Sequence, residues 1–180
     1  MTWFAVVDTA RDARLFDLVS RCSAYVPLFA GPLQPPLDRA VPYLVEFERG
    51  GPLMTAWMAT AASREWGLLV DSTADLPALR RHFRQFLQAT LPDGRIVLFR
   101  FYDPRVFHAY LPSCDTAALQ AWFRPVRTYY VGGPQRGRSY AFDGTALRIS
   151  ERAEGGDASA RPVRATDGPP AAADPPAPAA

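Results

Sequence analysis

The sequence predicts an α/β protein, one compact domain whose mixed β-sheet is flanked by helices, followed by a disordered C-terminal tail. Three observations carry that expectation. Short apolar runs of strand length alternate with amphipathic helical stretches up to about residue 131. Two Asp-Gly pairs, Asp93-Gly94 and Asp143-Gly144, are hairpin signals, so a mixed sheet is expected rather than a wholly parallel one. From about residue 151 the chain turns to alanine, proline and glycine, with no aromatic residue and Val163 as its single valine, which leaves little to offset the entropy of folding. The expected organisation is an α/β domain over 1–131, a hairpin extension over 132–150 and a tail over 151–180. With 48% hydrophobic residues in 180, the chain can fill one core but not two generous ones.

The elements follow in order. Trp3 to Val7 is an apolar run that reads as a strand. Ala13 to Cys22 places Leu15, Leu18, Val19 and Cys22 on one helical face, and Tyr25 to Phe29 reads as the next strand. A proline-rich loop, Gly31 to Pro36, leads to a strand over Val41 to Phe47. Gly50-Gly51-Pro52 then opens a helix with an apolar face of Leu53, Met54, Trp57, Met58 and Ala61. A strand over Trp66 to Val70 precedes a cluster of capping residues, Asp71 to Asp75. The helix they introduce turns Leu76, Leu79, Phe83, Phe86 and Leu87 inward and leaves Arg80, Arg81, Arg84 and Gln85 wet.

After the Asp93-Gly94 turn, Ile96 to Phe101 reads as a buried strand, with Val97, Phe99 and Phe101 on one side and Ile96, Leu98 and Arg100 on the other. A guanidinium on such a face needs a partner. Asp103 can cap the helix that Pro104 starts, or pair with Arg100 or Arg105, and either role makes a rigid corner. Pro104 to Leu111 and Thr116 to Phe123 read as helices, the second capped by Asp115. Arg127 to Val131 reads as a strand, and 139–149 as a hairpin.

All twenty basic residues are arginine and lysine and asparagine are absent, a pattern of GC-rich coding rather than of a basic binding face; the net charge is only +2. Without a clustered basic stripe interleaved with aromatics, nucleic acid is not the expected partner. No apolar stretch reaches bilayer length, and Met1 to Asp12 lacks a basic region and a cleavage site, so no membrane partner and a cytoplasmic location are expected. Cys22 and Cys114 are isolated and read as buried thiols.

No phosphate loop, dinucleotide fingerprint, GxSxG elbow or HExxH pair is present, so no cofactor, metal or catalytic residue is assigned. Asp71, His82, Asp103 and His108 are the residues from which a small metal-dependent hydrolase would have to be assembled. Each also has a structural reading: Asp71 and Asp103 at turn or cap positions, His82 as a packing residue bonded to a backbone carbonyl. Trp57, Trp66, Trp122, Phe83, Phe99 and Phe101 fall at core positions. Trp3, Tyr129, Tyr130 and Tyr140 lie nearer chain or hairpin ends, where a surface patch for another protein is the alternative to packing.

The order of these pieces resembles the bacterial type VI secretion effector chaperones, also called adaptors. The resemblance covers about residues 3 to 130 through DTARDARLFDLV, PYLVEF, Trp66-Gly67, Arg80, His82 and Phe83 in one helix, Asp93-Gly94, and the run Phe99-Arg100-Phe101-Tyr102-Asp103-Pro104-Arg105. It implies a non-enzymatic protein that binds a cognate toxin effector and helps load it onto the VgrG spike. On that reading Trp66, Gly67, Arg80, His82, Phe83, Phe99, Arg100, Phe101, Tyr102, Asp103 and Pro104 are scaffold, while Arg84, Arg105, Tyr129 and Tyr130 are candidates for contact. An immunity protein that occludes a toxin is the other binding role compatible with the same features.

Overall fold

A computed structural model of the chain describes residues 2–60, 65–133, 136–152 and 159–163. Among these residues ten strands and five α-helices follow one another as β1 (Thr2–Asp8), α1 (Arg14–Val19), β2 (Tyr25–Pro27), β3 (Pro42–Glu46), α2 (Pro52–Ala59), β4 (Gly67–Ser72), α3 (Leu76–Arg84), β5 (Gln88–Thr90), β6 (Ile96–Leu98), α4 (Pro104–Tyr110), α5 (Thr116–Phe123), β7 (Val126–Gly132), β8 (Gly137–Phe142), β9 (Leu147–Arg152) and β10 (Ser159–Val163). Eight strands form one sheet in the order β10-β9-β8-β7-β4-β1-β3-β2; β5 and β6 form a separate hairpin.

The α/β class with helices flanking a sheet is as expected, but every ladder in the sheet is antiparallel rather than mixed. The reason lies in where β1 sits. β3 and β4, joined through α2, run parallel to each other, yet β1 lies between them and pairs antiparallel with both. A strand–helix–strand unit split by a third strand has the sequence alternation of a parallel fold and none of its hydrogen bonds.

Both faces of the sheet are covered, and side-chain alternation sorts the core in two. Phe4 and Val6 of β1, Leu44 of β3 and Leu68 and Val70 of β4 face α3, α4 and α5, which contribute Leu79, Phe83, Phe107, Leu119, Trp122 and Phe123. Ala5, Val7, Tyr43, Val45 and Leu69 face the other way, onto Leu15 and Val19 of α1 and Leu53 and Trp57 of α2. Gly67 makes the close approach of β4 to β1 possible. Its φ is +151°, and a Cβ there would stand 1.9 Å from the Val6 carbonyl oxygen. Trp66 beside it meets Trp57 edge to face at 5.8 Å, and Trp57 donates its indole N–H to the Gly132 carbonyl, tying α2 to the end of β7.

Helix ends follow the caps legible in the sequence. Asp75 accepts from Ala78 N at α3, Asp103 from Arg105 N at α4 and Asp115 from Ala118 N at α5. Other expectations are corrected. Met58 is 55% exposed, because α2 presents only Leu53 and Trp57 fully to the core, and Ala61 lies outside the described residues. Ile96 to Phe101 is not one buried strand: β6 ends at Leu98, Ile96 is 67% and Leu98 50% exposed, and only Phe101 is fully enclosed. Among the described residues no second layer covers that face. In the region expected to be tail, 159–163 pairs through its backbone with β9, while 153–158 and 164–180 lie outside the described residues.

Candidate functional site

The corner between β6 and α4 is built on two buried carboxylates. Asp103 is 4% exposed and accepts from the backbone N–H of Arg105 at 3.0 Å, from Arg105 Nη2 at 2.8 Å and from Arg11 Nη2 at 3.1 Å. The Arg105 side-chain bonds hold its carboxyl below the usual carboxylate range against the opposing effect of burial, helped by the Arg105 N–H and the Arg11 charge. Asp8, at the end of β1, is 2% exposed; it caps the 3-10 turn Thr9–Arg11 and pairs with Arg100. Arg11 bridges the two acids, with Nε 3.9 Å from Asp8 and Nη2 on Asp103.

The resulting sequence in space is Arg100, Asp8, Arg11, Asp103, Arg105, alternating in sign. Of the roles open to Asp103, the helix cap and the pairing with Arg105 are the ones found. Arg100 pairs with Asp8 instead, 92 residues away, because the corner packs onto the end of β1. The five groups clasp the N-terminal strand to the start of α4, with both acids inside and three guanidinium groups toward solvent.

Arg105 stands on a ridge between two hollows. One, of about 620 Å³, is lined by Asp103, Arg105, Val106, Ala109 and Tyr110. The other, of about 490 Å³, runs from Pro104, Arg105 and His108 toward Gly132, Arg138 and Glu151. Both are shallow and open. Exposed yet held by a buried carboxylate, Arg105 presents a charge that is already ordered.

The scaffold residues are bonded as a scaffold requires. Arg80 on α3 donates to the carbonyls of Pro27 and Phe29, fixing the end of β2. His82 is buried and donates Nε2–H to the Trp122 carbonyl, which also accepts the Tyr129 hydroxyl at 2.7 Å. Burial lowers the His82 pKa to about 4, so the ring is neutral near pH 7. Phe83 stacks on Phe101 at 5.7 Å, Tyr102 is buried beside it, and Phe99 meets Tyr110 edge to face at 4.7 Å.

Of the candidates for contact, Arg84 and Arg105 are exposed. Tyr129 is not: it is wholly enclosed, because β7 lies inside the sheet and this residue faces the aromatic core. Tyr140 is enclosed too, its hydroxyl sharing a hydrogen bond with His108 Nδ1. Tyr130 is half-buried and donates to the Gly133 carbonyl. The four hydrolase candidates are each engaged elsewhere: Asp71 pairs with Arg127 at 2.8 Å, His82 with Trp122, Asp103 with Arg11 and Arg105, and His108 with Tyr140. Among the described residues, no three His, Cys, Asp or Glu side chains stand where they can hold a metal ion. Sequence reasoning did not single out Asp8 and Arg11; the signal available was an acid closing an apolar strand, a position where burial demands a cation.

No described helix is long and apolar enough to cross a membrane. No curated protein and no solved structure matches the chain. One family model does, over residues 3–121, from the first strand through the charged corner to α5, and by that match the chain belongs to the family described as a domain of unknown function, DUF4123.

Proposed function

We propose that this chain is a cytoplasmic adaptor that binds a type VI secretion toxin effector and assists its loading onto the VgrG spike. The observation that carries the reading is Arg105: an exposed guanidinium, oriented by a buried carboxylate, between two open hollows, inside the family-matched region and within the Phe99 to Arg105 run that resembles the effector chaperones. The clasp keeps the ridge in one geometry, so a partner's acidic group meets a preorganised donor and little side-chain entropy is lost on binding. Shielding of the effector then rests on binding energy, released when the spike offers a better competing surface.

Co-purification of the full chain with the effector encoded beside it, and with VgrG, tests this. The wild-type chain retains the effector, whereas Arg105→Glu weakens capture by about 10- to 100-fold, the loss of one well-placed charged contact plus a new repulsion. Retention of neither protein, with effector delivery surviving deletion of the gene, overturns the proposal.

A further inference from the structure

The β5–β6 hairpin carries an open main-chain edge. Its register pairs Gln88 with Leu98, Ala89 with Val97 and Thr90 with Ile96. The bonds Leu91 N–H to the Arg95 carbonyl and Phe99 N–H to the Leu87 carbonyl, both 2.8 Å, fix which pairs exchange hydrogen bonds: 87 with 99, 89 with 97 and 91 with 95. The N–H and C=O groups of Ile96 and Leu98 therefore point away from β5. Among the described residues no further strand pairs with them, and the same two residues present exposed apolar side chains.

The β2 edge of the large sheet is protected by comparison. β2 is three residues long and ends in Pro27, whose carbonyl is taken by Arg80. β6 is as short, but it has no proline, no charge and no bulge from Ile96 to Leu98. The outer side of β5 offers Gln88 and Thr90, so of the hairpin's two strands β6 is the one that combines open backbone groups with apolar side chains.

We propose that the outer edge of β6 accepts an extended apolar protein segment bearing acidic residues at its ends, adding it as a third strand of the hairpin. Arginines bracket the edge: Arg95, whose side chain is 73% exposed, and Arg100, at 45%. Each is held by one aspartate and keeps further donors for a second carboxylate. The same charges disfavour a second copy of this chain: antiparallel self-pairing centred on Val97, where Ile96 faces Leu98, brings an arginine of each copy to both ends of the ladder. Main-chain bonds supply the affinity and alternate side chains the selectivity. That the segment belongs to an effector rests on the function proposed above; the edge itself does not.

The test uses the full chain and the peptide Glu-Val-Thr-Val-Thr-Val-Glu, with a lysine-ended version and a version N-methylated on alternate residues as controls. In the free protein the Ile96 and Leu98 amides exchange with solvent faster than those of Val97 and Phe99. With millimolar peptide, Ile96 and Leu98 slow at least tenfold; the lysine-ended peptide binds several-fold more weakly, and the N-methylated one gives no protection. Leu98→Pro removes an outward N–H without touching a hairpin bond and lowers peptide affinity at least tenfold. Unchanged exchange at Ile96 and Leu98, or protection that appears with protein concentration alone and so reports self-pairing, overturns the proposal. Because the probe contains no effector sequence, its failure leaves effector capture standing, and failed capture leaves a positive peptide result standing.

Discussion

The hairpin β5–β6 and the corner Arg100–Arg105 are separated by a single residue, Phe99, and are built on opposite principles. The corner hides its carboxylates and shows their arginine partners; the hairpin shows apolar side chains and is held by main-chain bonds. Each charged residue of the corner is paired within the fold, reaching 92 residues back to the end of β1. The hairpin is committed only to itself. A segment that must stay in one place and a segment left open to an incoming strand thus sit side by side, and the first positions the second.

Phe101 is the pivot of that arrangement, and its removal has the largest effect. Fully enclosed, it stacks on Phe83 and meets Trp122 and Phe86 edge to face. Phe101→Ala costs about 4 kcal/mol, the loss of a buried ring and the cavity left behind, measured by urea denaturation. The corner and the hairpin lose their common anchor together. A cost near that of a surface substitution shows that the two are held independently.

Acid divides the two regions next. The folded chain keeps His82 neutral down to about pH 4, whereas the unfolded chain takes up that proton near the ordinary imidazole value of 6.5. Between these values the unfolded state binds more protons, so stability is fully present above the window and falls as the pH is lowered through it, by about 3 kcal/mol in all. His82→Gln flattens this limb of the stability profile. Asp103, whose carboxyl is held below its ordinary value, adds a second loss only below about pH 4, as its folded-state pKa is approached. The hairpin strands Gln88–Thr90 and Ile96–Leu98 contain no titratable residue, so neither step originates there.

Much of this was legible in the sequence, and what was not has a common cause. Local signals gave α3, α4 and α5 with their aspartate caps, the Asp143-Gly144 hairpin and the packing role of His82, since each depends on neighbours within a few residues or on a single carbonyl. Alternation in Ile96 to Phe101 showed that its two sides differ but not that one side faces water, because burial depends on whether a second layer arrives. Tyr129 looked like an end residue and is central, because β7 pairs with β4, more than fifty positions earlier, on one side and β8 on the other. The partner of Arg100, Asp8, was not legible for the same reason. Of the candidate site, Arg105 and its carboxylate were readable as an adjacent pair, while Arg11 and Asp8 required the tertiary contact.

A smaller effect than either of the above is expected from the clasp itself. Asp103→Ala removes the α4 cap, worth about 1 kcal/mol, and leaves Arg11 and Arg105 without their carboxylate. Both arginines retain access to water, so the total stays near 2 kcal/mol rather than the larger cost of stranding a fully buried charge. The measurement that matters is amide exchange along 96–105: opening of Arg105 and Val106 with the hairpin pattern unchanged separates the two regions, whereas loosening of Ile96 to Leu98 as well shows that the clasp orders the hairpin.

The smallest expected effect is the sharpest test of the contrast. Lysine at both Ile96 and Leu98 replaces two side chains that already face solvent at positions whose backbone groups take no part in the hairpin ladder. Stability should change by no more than about 0.5 kcal/mol, as for other surface substitutions. Binding of the acidic-ended peptide should fall, because the apolar contacts vanish and a charged edge strand resists pairing. Neutral stability with lost binding means that the fold does not need those side chains and that their exposure serves a contact outside it. A stability loss above ~1 kcal/mol means that the hairpin packs its apolar face after all, and the distinction between a committed corner and an open edge then fails.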